Sequence, residues 1–279
     1  MSFDRLSNRS NNKQNKQYDL NRQYKPKVSK FDLLIDEWND TKNYFSKNKK
    51  KMPLSIKYDN SIINIPENNA NNENDDLKKP IIEIINEDSF NLAIKYVIDG
   101  HKPLVLNMAS DYKPGGGVAS GKTAQEEELF RRSNAHLTHP NEWYPLNVNE
   151  TIYSPQVTII KDSRDKKYKY IDEIDIALIS CAAIRKPALI DNKYTDNDYN
   201  IMYNKIESIF KIAIIHGHDS LVLGALGCGV FNNPPEEIAN MFSILINKYG
   251  KHFTKIGFAI LVVKDKDTEN LNVFKKNIA

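Results

Sequence analysis

Asn107-Met108-Ala109-Ser110-Asp111-Tyr112-Lys113-Pro114-Gly115-Gly116-Gly117-Val118-Ala119-Ser120-Gly121-Lys122-Thr123-Ala124-Gln125-Glu126-Glu127-Glu128 carries the reading of this chain. The stretch leaves an apolar run, Pro103–Ala109, that reads as a core strand. It then turns through three consecutive glycines and enters a helix opened by Thr123-Ala124-Gln125-Glu126, a sequence of capping-box form. Glycines tolerate positive φ and let successive backbone N–H groups face one way, so the loop is expected to form an anion nest. A helix N-terminus behind it adds the favourable end of a dipole, which suits a phosphate or diphosphate.

A second loop repeats the arrangement. Gly224-Ala225-Leu226-Gly227-Cys228-Gly229-Val230-Phe231-Asn232-Asn233-Pro234-Pro235 follows an apolar run at Ser220–Ala225 and leads into a helix started by Pro235. It is placed to hold the other side of one diphosphate. Phe231 could pack on a sugar or base face, or simply fill the core. Cys228 reads as a small loop residue, since no His/Asp constellation accompanies it as a nucleophile would require.

Working outward, Phe31, Leu34, Ile35 and Trp38 recur at helical spacing and predict a helix near 31–47. Short β-like stretches follow at Leu54–Tyr58 and Ile62–Ile65, and Pro66–Asp76 reads as a low-complexity loop. Pro80–Ile85 is expected to be a buried strand, and Asp88/Ser89 to cap a helix ending before Gly100. Further strands are expected at Thr151–Lys161, Ile174–Ser180 and Lys255–Val263, with a helix over 198–215. Strands alternating with helices predict an α/β fold, a mainly parallel or mixed sheet covered on both faces. In such sheets ligands sit beyond the carboxyl ends of the strands, where both glycine loops lie.

The 279 residues are 40% hydrophobic and 27% charged, which fits a soluble globular protein of one large domain plus an appendage. No apolar run approaches a membrane span and the polar N-terminus shows no signal peptide, so an intracellular setting is expected. Two cysteines and six scattered histidines give neither a disulfide framework nor a metal site, and no cofactor is expected. The net charge of +3 conceals an asymmetry: residues 1–30 hold eight Lys/Arg against two Asp/Glu, and the rest 31 against 34. This tail reads as a disordered basic leader, with a weak contact to nucleic acid or another polyanion as the functional alternative. The division expected is a tail over 1–30, an accessory segment over 31–79 and a catalytic domain over 80–279.

The same stretch contains Gly116-xxxx-Gly121-Lys122-Thr123, a match to the phosphate-loop pattern of P-loop NTPases. Five residues separate the strand from the glycines, no later strand ends in the required Asp, and the Glu run would have no role. These points weigh against an NTPase. Carboxylates at 126–128 could complement the helix dipole, or could serve glycosidic chemistry. Cleaving a ribose C1–O bond needs a proton for the leaving oxygen and then activation of water, and one carboxyl can do both in turn.

Taken together, NxAS…PGGG…AQEE…RxS and GALGCGVFxNPPEE resemble the microbial-type poly(ADP-ribose) glycohydrolases, whose signature is GGG, six to eight residues, then QEE. Here seven residues separate Gly117 from Gln125. The resemblance implies a macrodomain-like three-layer α/β/α sandwich with an N-terminal extension. It implies hydrolysis of the ribose–ribose O-glycosidic bond of poly(ADP-ribose), with ADP-ribosylated proteins as partners and ADP-ribose as product. It further implies Glu127 as catalytic acid/base and Glu126 as its partner on the ribose hydroxyls. Gly115, Gly116 and Gly117, with Gln125 beside them, match the first diphosphate loop, and Gly227, Cys228, Gly229 and Val230 the second. Phe231 matches the aromatic that orders the terminal ribose, and Asn107 the first Asn of the wider macrodomain motif. Glu128, one position on, is expected to turn away and to tolerate replacement. A mono-ADP-ribosyl hydrolase and a non-catalytic ADP-ribose reader remain the alternatives.

Overall fold

The computed structural model describes residues 29–65, 79–263 and 265–278. The expected disorder of the basic tail and the loop at Pro66–Asp76 therefore fall outside the described residues. The elements run α1 (Lys30–Lys47), β1 (Ile56–Asp59), β2 (Ile81–Ile85), α2 (Ser89–Ile98), β3 (Pro103–Met108), α3 (Gln125–Arg132), α4 (Ala135–Thr138), β4 (Glu150–Lys161), β5 (Tyr170–Cys181), β6 (Leu189–Ile190), β7 (Lys193–Tyr194), α5 (Asp196–Ile215), β8 (Ser220–Leu223), α6 (Pro235–Tyr249), β9 (Lys255–Ala259) and α7 (Asp265–Ile278). Seven of these strands form one sheet in the order β1-β4-β5-β3-β8-β9-β2, and β6-β7 is a small separate hairpin. Within the seven, only β4 runs against the rest, since it pairs antiparallel with both β1 and β5.

Alternation along the strands divides the interior into two cores. Leu104 and Leu106 of β3 face the helices α5, α6 and α7, meeting Phe210, Phe242 and Phe274. Val105 between them faces α1, α2 and α3, meeting Trp38, Phe90 and Phe130. The result is the expected three-layer α/β/α sandwich.

Several boundaries differ from expectation. β2 is an edge strand paired only with β9, so its residues are exposed or half-buried rather than core. Residues 62–65 form no strand, although Ile63 inserts into the core beside α5. β9 ends at Ala259, where Ile260 N–H donates to the carbonyl of Ile85. The Thr123–Glu126 capping box is not made. Ala124 is the N-cap without a side-chain bond, because the Glu126 carboxylate turns to the glycine loop. The helix α7 carries little periodic signal in the sequence, because it is polar and buries only Asn270, Leu271 and Phe274.

α1 is built into the core. Ser29 and Asp32 cap it reciprocally, and Leu34, Trp38 and Phe45 are buried. Arg131 of α3, fully buried, donates Nε to the Leu34 carbonyl at 3.2 Å, and Thr41 donates back to the Arg131 carbonyl. Lys161, also fully buried, pairs with Glu37 at 2.8 Å and Asp40 at 2.7 Å. α1, within the expected accessory segment, thus packs directly on α3 and β4.

Candidate active site

β3 and β8 are parallel neighbours, so the two glycine loops leave the same end of the sheet side by side. Between them lies a cleft of about 580 Å³, a normal size for a small-molecule site. Its lining includes Ser110, Gly116, Gly117, Glu126, Glu127 and Phe231.

The first loop folds back on the helix that follows it. Gly115 N–H donates to Glu126 Oε1 at 3.2 Å, and Ser110 N–H to Glu126 Oε2 at 2.7 Å. Gly117 N–H donates to Glu127 Oε1 at 2.7 Å. Gly116 N–H turns to the Lys113 carbonyl at 3.3 Å. The expected anion nest is thus filled by the protein's own carboxylates. Close approach is what requires glycine here: a Cβ on Gly115 would lie 2.5 Å from the Phe130 ring, and one on Gly116 only 2.7 Å from Glu127 Oε1. Both residues also have positive φ, +69° and +51°.

Glu126 is nearly fully buried, and burial pushes its carboxyl up to about 8 against the pull of its N–H donors. Glu127 has one oxygen held by Gly117, while its Oε2 has no hydrogen-bond partner among the described residues. That oxygen is itself buried, while other atoms of Glu127 line the cleft. Glu128 points away into a buried ion pair with Arg131 at 3.2 Å and accepts the Tyr168 hydroxyl at 2.7 Å. The expectation that it would tolerate replacement does not fit that environment.

Not every expected site residue reaches the cleft. Asn107 is fully buried behind Glu126, to which its Nδ2 donates at 3.4 Å. Gln125 ties the helix start to β3: its Oε1 accepts Met108 N–H at 2.8 Å and its Nε2 donates to the Leu106 carbonyl at 2.6 Å. Neither lines the cleft. Lys122 and Thr123 of the NTPase-like pattern do not line it either, and Gly121 packs instead against the backbone of Phe31.

In the second loop, Gly227 has φ +76° and is braced by Asn233, whose Nδ2 donates to the carbonyls of Gly227 at 3.2 Å and Ile184 at 2.8 Å. The N–H groups of Gly229, Val230 and Phe231 find no acceptor among the described residues. Cys228 is fully buried and its thiol is pushed far up by desolvation, so it is not a nucleophile. Phe231 lines the cleft beneath the Arg185 guanidinium, 4.1 Å from the ring centre, and Arg185 in turn pairs with Asp111. Sequence reading missed Arg185 and Asp111, which come together across 74 positions and carry no local motif.

A sequence profile described as "Microbial-type PARG, catalytic domain", PARG being poly(ADP-ribose) glycohydrolase, matches residues 8–162, more than half of the chain. No curated protein sequence matches significantly. Among solved structures, poly(ADP-ribose) glycohydrolase from Thermomonospora curvata superposes with a TM-score of 0.74 at 22% identity, covering 88% of this chain and 98% of that one. The same enzyme bound to the inhibitor ADP-HPD gives 0.70 at 23%, covering 87% and 98%. The Deinococcus radiodurans glycohydrolase in complex with ADP-ribose gives 0.64 at 25%, covering 80% and 94%. The profile match spans the GGG and QEE elements, and the chain belongs to the microbial-type poly(ADP-ribose) glycohydrolase family.

Proposed function

We propose that this glycosidase hydrolyses the ribose–ribose O-glycosidic bond of poly(ADP-ribose) and releases ADP-ribose, with Glu127 as general acid and then general base. The observation that carries this reading is the pair of adjacent glutamates pinned by glycine-loop N–H groups where both side chains line the cleft. Residues 80–279 hold the chemistry, and the 31–79 segment braces it through α1. The free N–H groups of Gly229–Phe231 are suited to a diphosphate, and α6 begins directly after that loop.

In the reaction Glu127 gives its proton to the leaving ribose oxygen as the C1–O bond breaks, and positive charge develops on the ring. Glu126, held as an acceptor, takes hydrogen bonds from ribose hydroxyls. Water then adds its oxygen to C1 and returns a proton to Glu127, which restores the acid. Polymer attached to modified proteins is the proposed substrate, and an intracellular setting the proposed location. No helix among the described residues is long and apolar enough to cross a membrane.

The test is ADP-ribose release from purified polymer by the wild type and by Glu127→Gln. The amide keeps the size and the bond from Gly117 but cannot supply the proton. Release should fall by about 10²–10⁴-fold while ADP-ribose affinity, read by calorimetry, changes little. Near wild-type release by the variant would refute the mechanism; binding without any wild-type release would make the protein a reader.

A further inference from the structure

Behind Glu126 a chain of hydrogen bonds runs through the interior to a histidine that no part of the reaction above uses. His139, next to α4, is 2% exposed. Its Nδ1 lies 2.8 Å from the Ala135 carbonyl oxygen, and its Nε2 lies 2.6 Å from Ser180 Oγ. A carbonyl only accepts, so Nδ1 carries the hydrogen. Thr138 donates its hydroxyl to the same Ala135 carbonyl at 2.9 Å, leaving its own oxygen to share the Nδ1 hydrogen at 2.9 Å. Burial lowers the ring to about 4, so near neutrality it is uncharged and Nε2 presents a lone pair.

The direction of every bond beyond it follows. Ser180 must donate its hydroxyl to Nε2, which leaves Ser180 Oγ to accept from Asn107 Nδ2 at 2.9 Å. Asn107 on β3 and Ser180 on β5 are register partners, so the sheet itself sets them side by side. The second hydrogen on Asn107 Nδ2 points to Glu126 Oε1, 3.4 Å away. Asn107 Oδ1 has no partner among the described residues, so nothing else in the interior selects the amide orientation. Were the amide reversed, its NH2 would find no acceptor, and Ser180 Oγ, whose own hydrogen goes to His139, would lose its donor.

We infer that His139 and Ser180 are positioning residues of the active site. Through the Asn107 amide they hold Glu126 as an oriented hydrogen-bond acceptor beside Glu127. The inference rests on the proposed role of Glu126 on the ribose.

The experiment uses the full chain. Near pH 7, imidazole ¹⁵N shifts of wild-type His139 should report the Nδ1–H tautomer, and the Nε2 signal should move in Ser180→Ala. This readout needs no turnover, so it stands apart from the proposed activity. In the polymer assay, Ser180→Ala and His139→Phe should each lower kcat by about 10-fold, because they free the amide to turn. His139→Gln places an oxygen where Nε2 stood and should recover most of the loss. In a Glu126→Gln background the effect of Ser180→Ala should largely vanish, since both changes act through the same carboxylate. ADP-ribose affinity supplies the same cycle without catalysis. An Nε2–H tautomer, losses that add across the cycle, or folded Gln and Phe variants that behave alike would each overturn the inference. If the tautomer and the affinity cycle hold but no polymer is cleaved, the proposed function fails and the positioning chain does not.

Discussion

Replacing Gly116 by alanine tests whether the glycine loop exists to admit the two carboxylates. At φ +51° the added Cβ would lie 2.7 Å from Glu127 Oε1 and 3.0 Å from Glu126 Oε2. Ordinary contact begins near 3.4 Å, so the Glu127 oxygen has to retreat by about 0.7 Å. The left-handed backbone itself costs about 1–2 kcal/mol with any side chain. Displacing a reacting group by about 1 Å is worth roughly 10²-fold in rate, so a loss of about 30- to 100-fold in kcat is expected. Gly100→Ala isolates the backbone cost, because Gly100 has φ +86° and nothing within 4 Å of its added Cβ. The two variants should show similar drops in unfolding free energy by urea titration, and only Gly116→Ala should lose ADP-ribose release. Equal activities in the two would show that the carboxylates do not need the space, and the account of the loop would be wrong.

Other outcomes follow from the surroundings of the site. Glu128→Gln removes the charge facing buried Arg131, so stability should fall by about 2 kcal/mol while ADP-ribose affinity stays near wild type; an unchanged melting temperature would contradict this. Acid should weaken the fold through His136 and His139, both lowered to about 4 by burial. Because the folded values lie below the unfolded value, the unfolded chain takes the proton first as pH falls. Stability from these rings is complete above about 6.5, drains away down to about 4 and is then lost, a change on the order of 3 kcal/mol per ring. Glu126 acts in the opposite sense, since its raised carboxyl favours the folded state as pH falls from about 8. The His139 share is therefore read as a difference: relative to wild type, His139→Gln should gain stability between pH 7 and pH 4, and a pH-independent difference would refute the assignment.

The parts of this molecule that were legible in the sequence are those whose signal is local. Leu34 and Trp38 declare α1 by spacing, Asp88 declares the start of α2, and three glycines followed seven residues later by Gln125-Glu126-Glu127 declare the loop and its carboxylates. What could not be read is pairing across distance. The position of β2 at the sheet edge depends on which strand reaches β9 first, and the run Ile81–Ile85 looks the same in either place. The acceptors of the Gly115 and Gly117 N–H groups lie on a helix that the sequence shows only as downstream. A free nest and one filled by Glu126 and Glu127 have the same residues. Arg185 over Phe231 and His139 behind Ser180 arise from loops and strands brought together by the fold, and neither has a motif.

The two glycine loops, alike in sequence, divide the work of the cleft by where their N–H groups go. In the first, the Gly115 and Gly117 donors are taken by Glu126 and Glu127, and that of Gly116 by the Lys113 carbonyl. In the second, Gly229, Val230 and Phe231 keep theirs, and the N-terminal end of α6 stands behind them. Reversing this division would place a diphosphate beside two carboxylates, and its charge would add to the burial that already favours protonation of Glu126. In the proposed reading the anion lies on the β8 side and the acids on the β3 side of the cleft, which spares Glu126 that further push toward protonation. The adjacency of β3 and β8 in a parallel sheet brings both loops to one end of it, so the proposed anion site and the two acids border the same cleft.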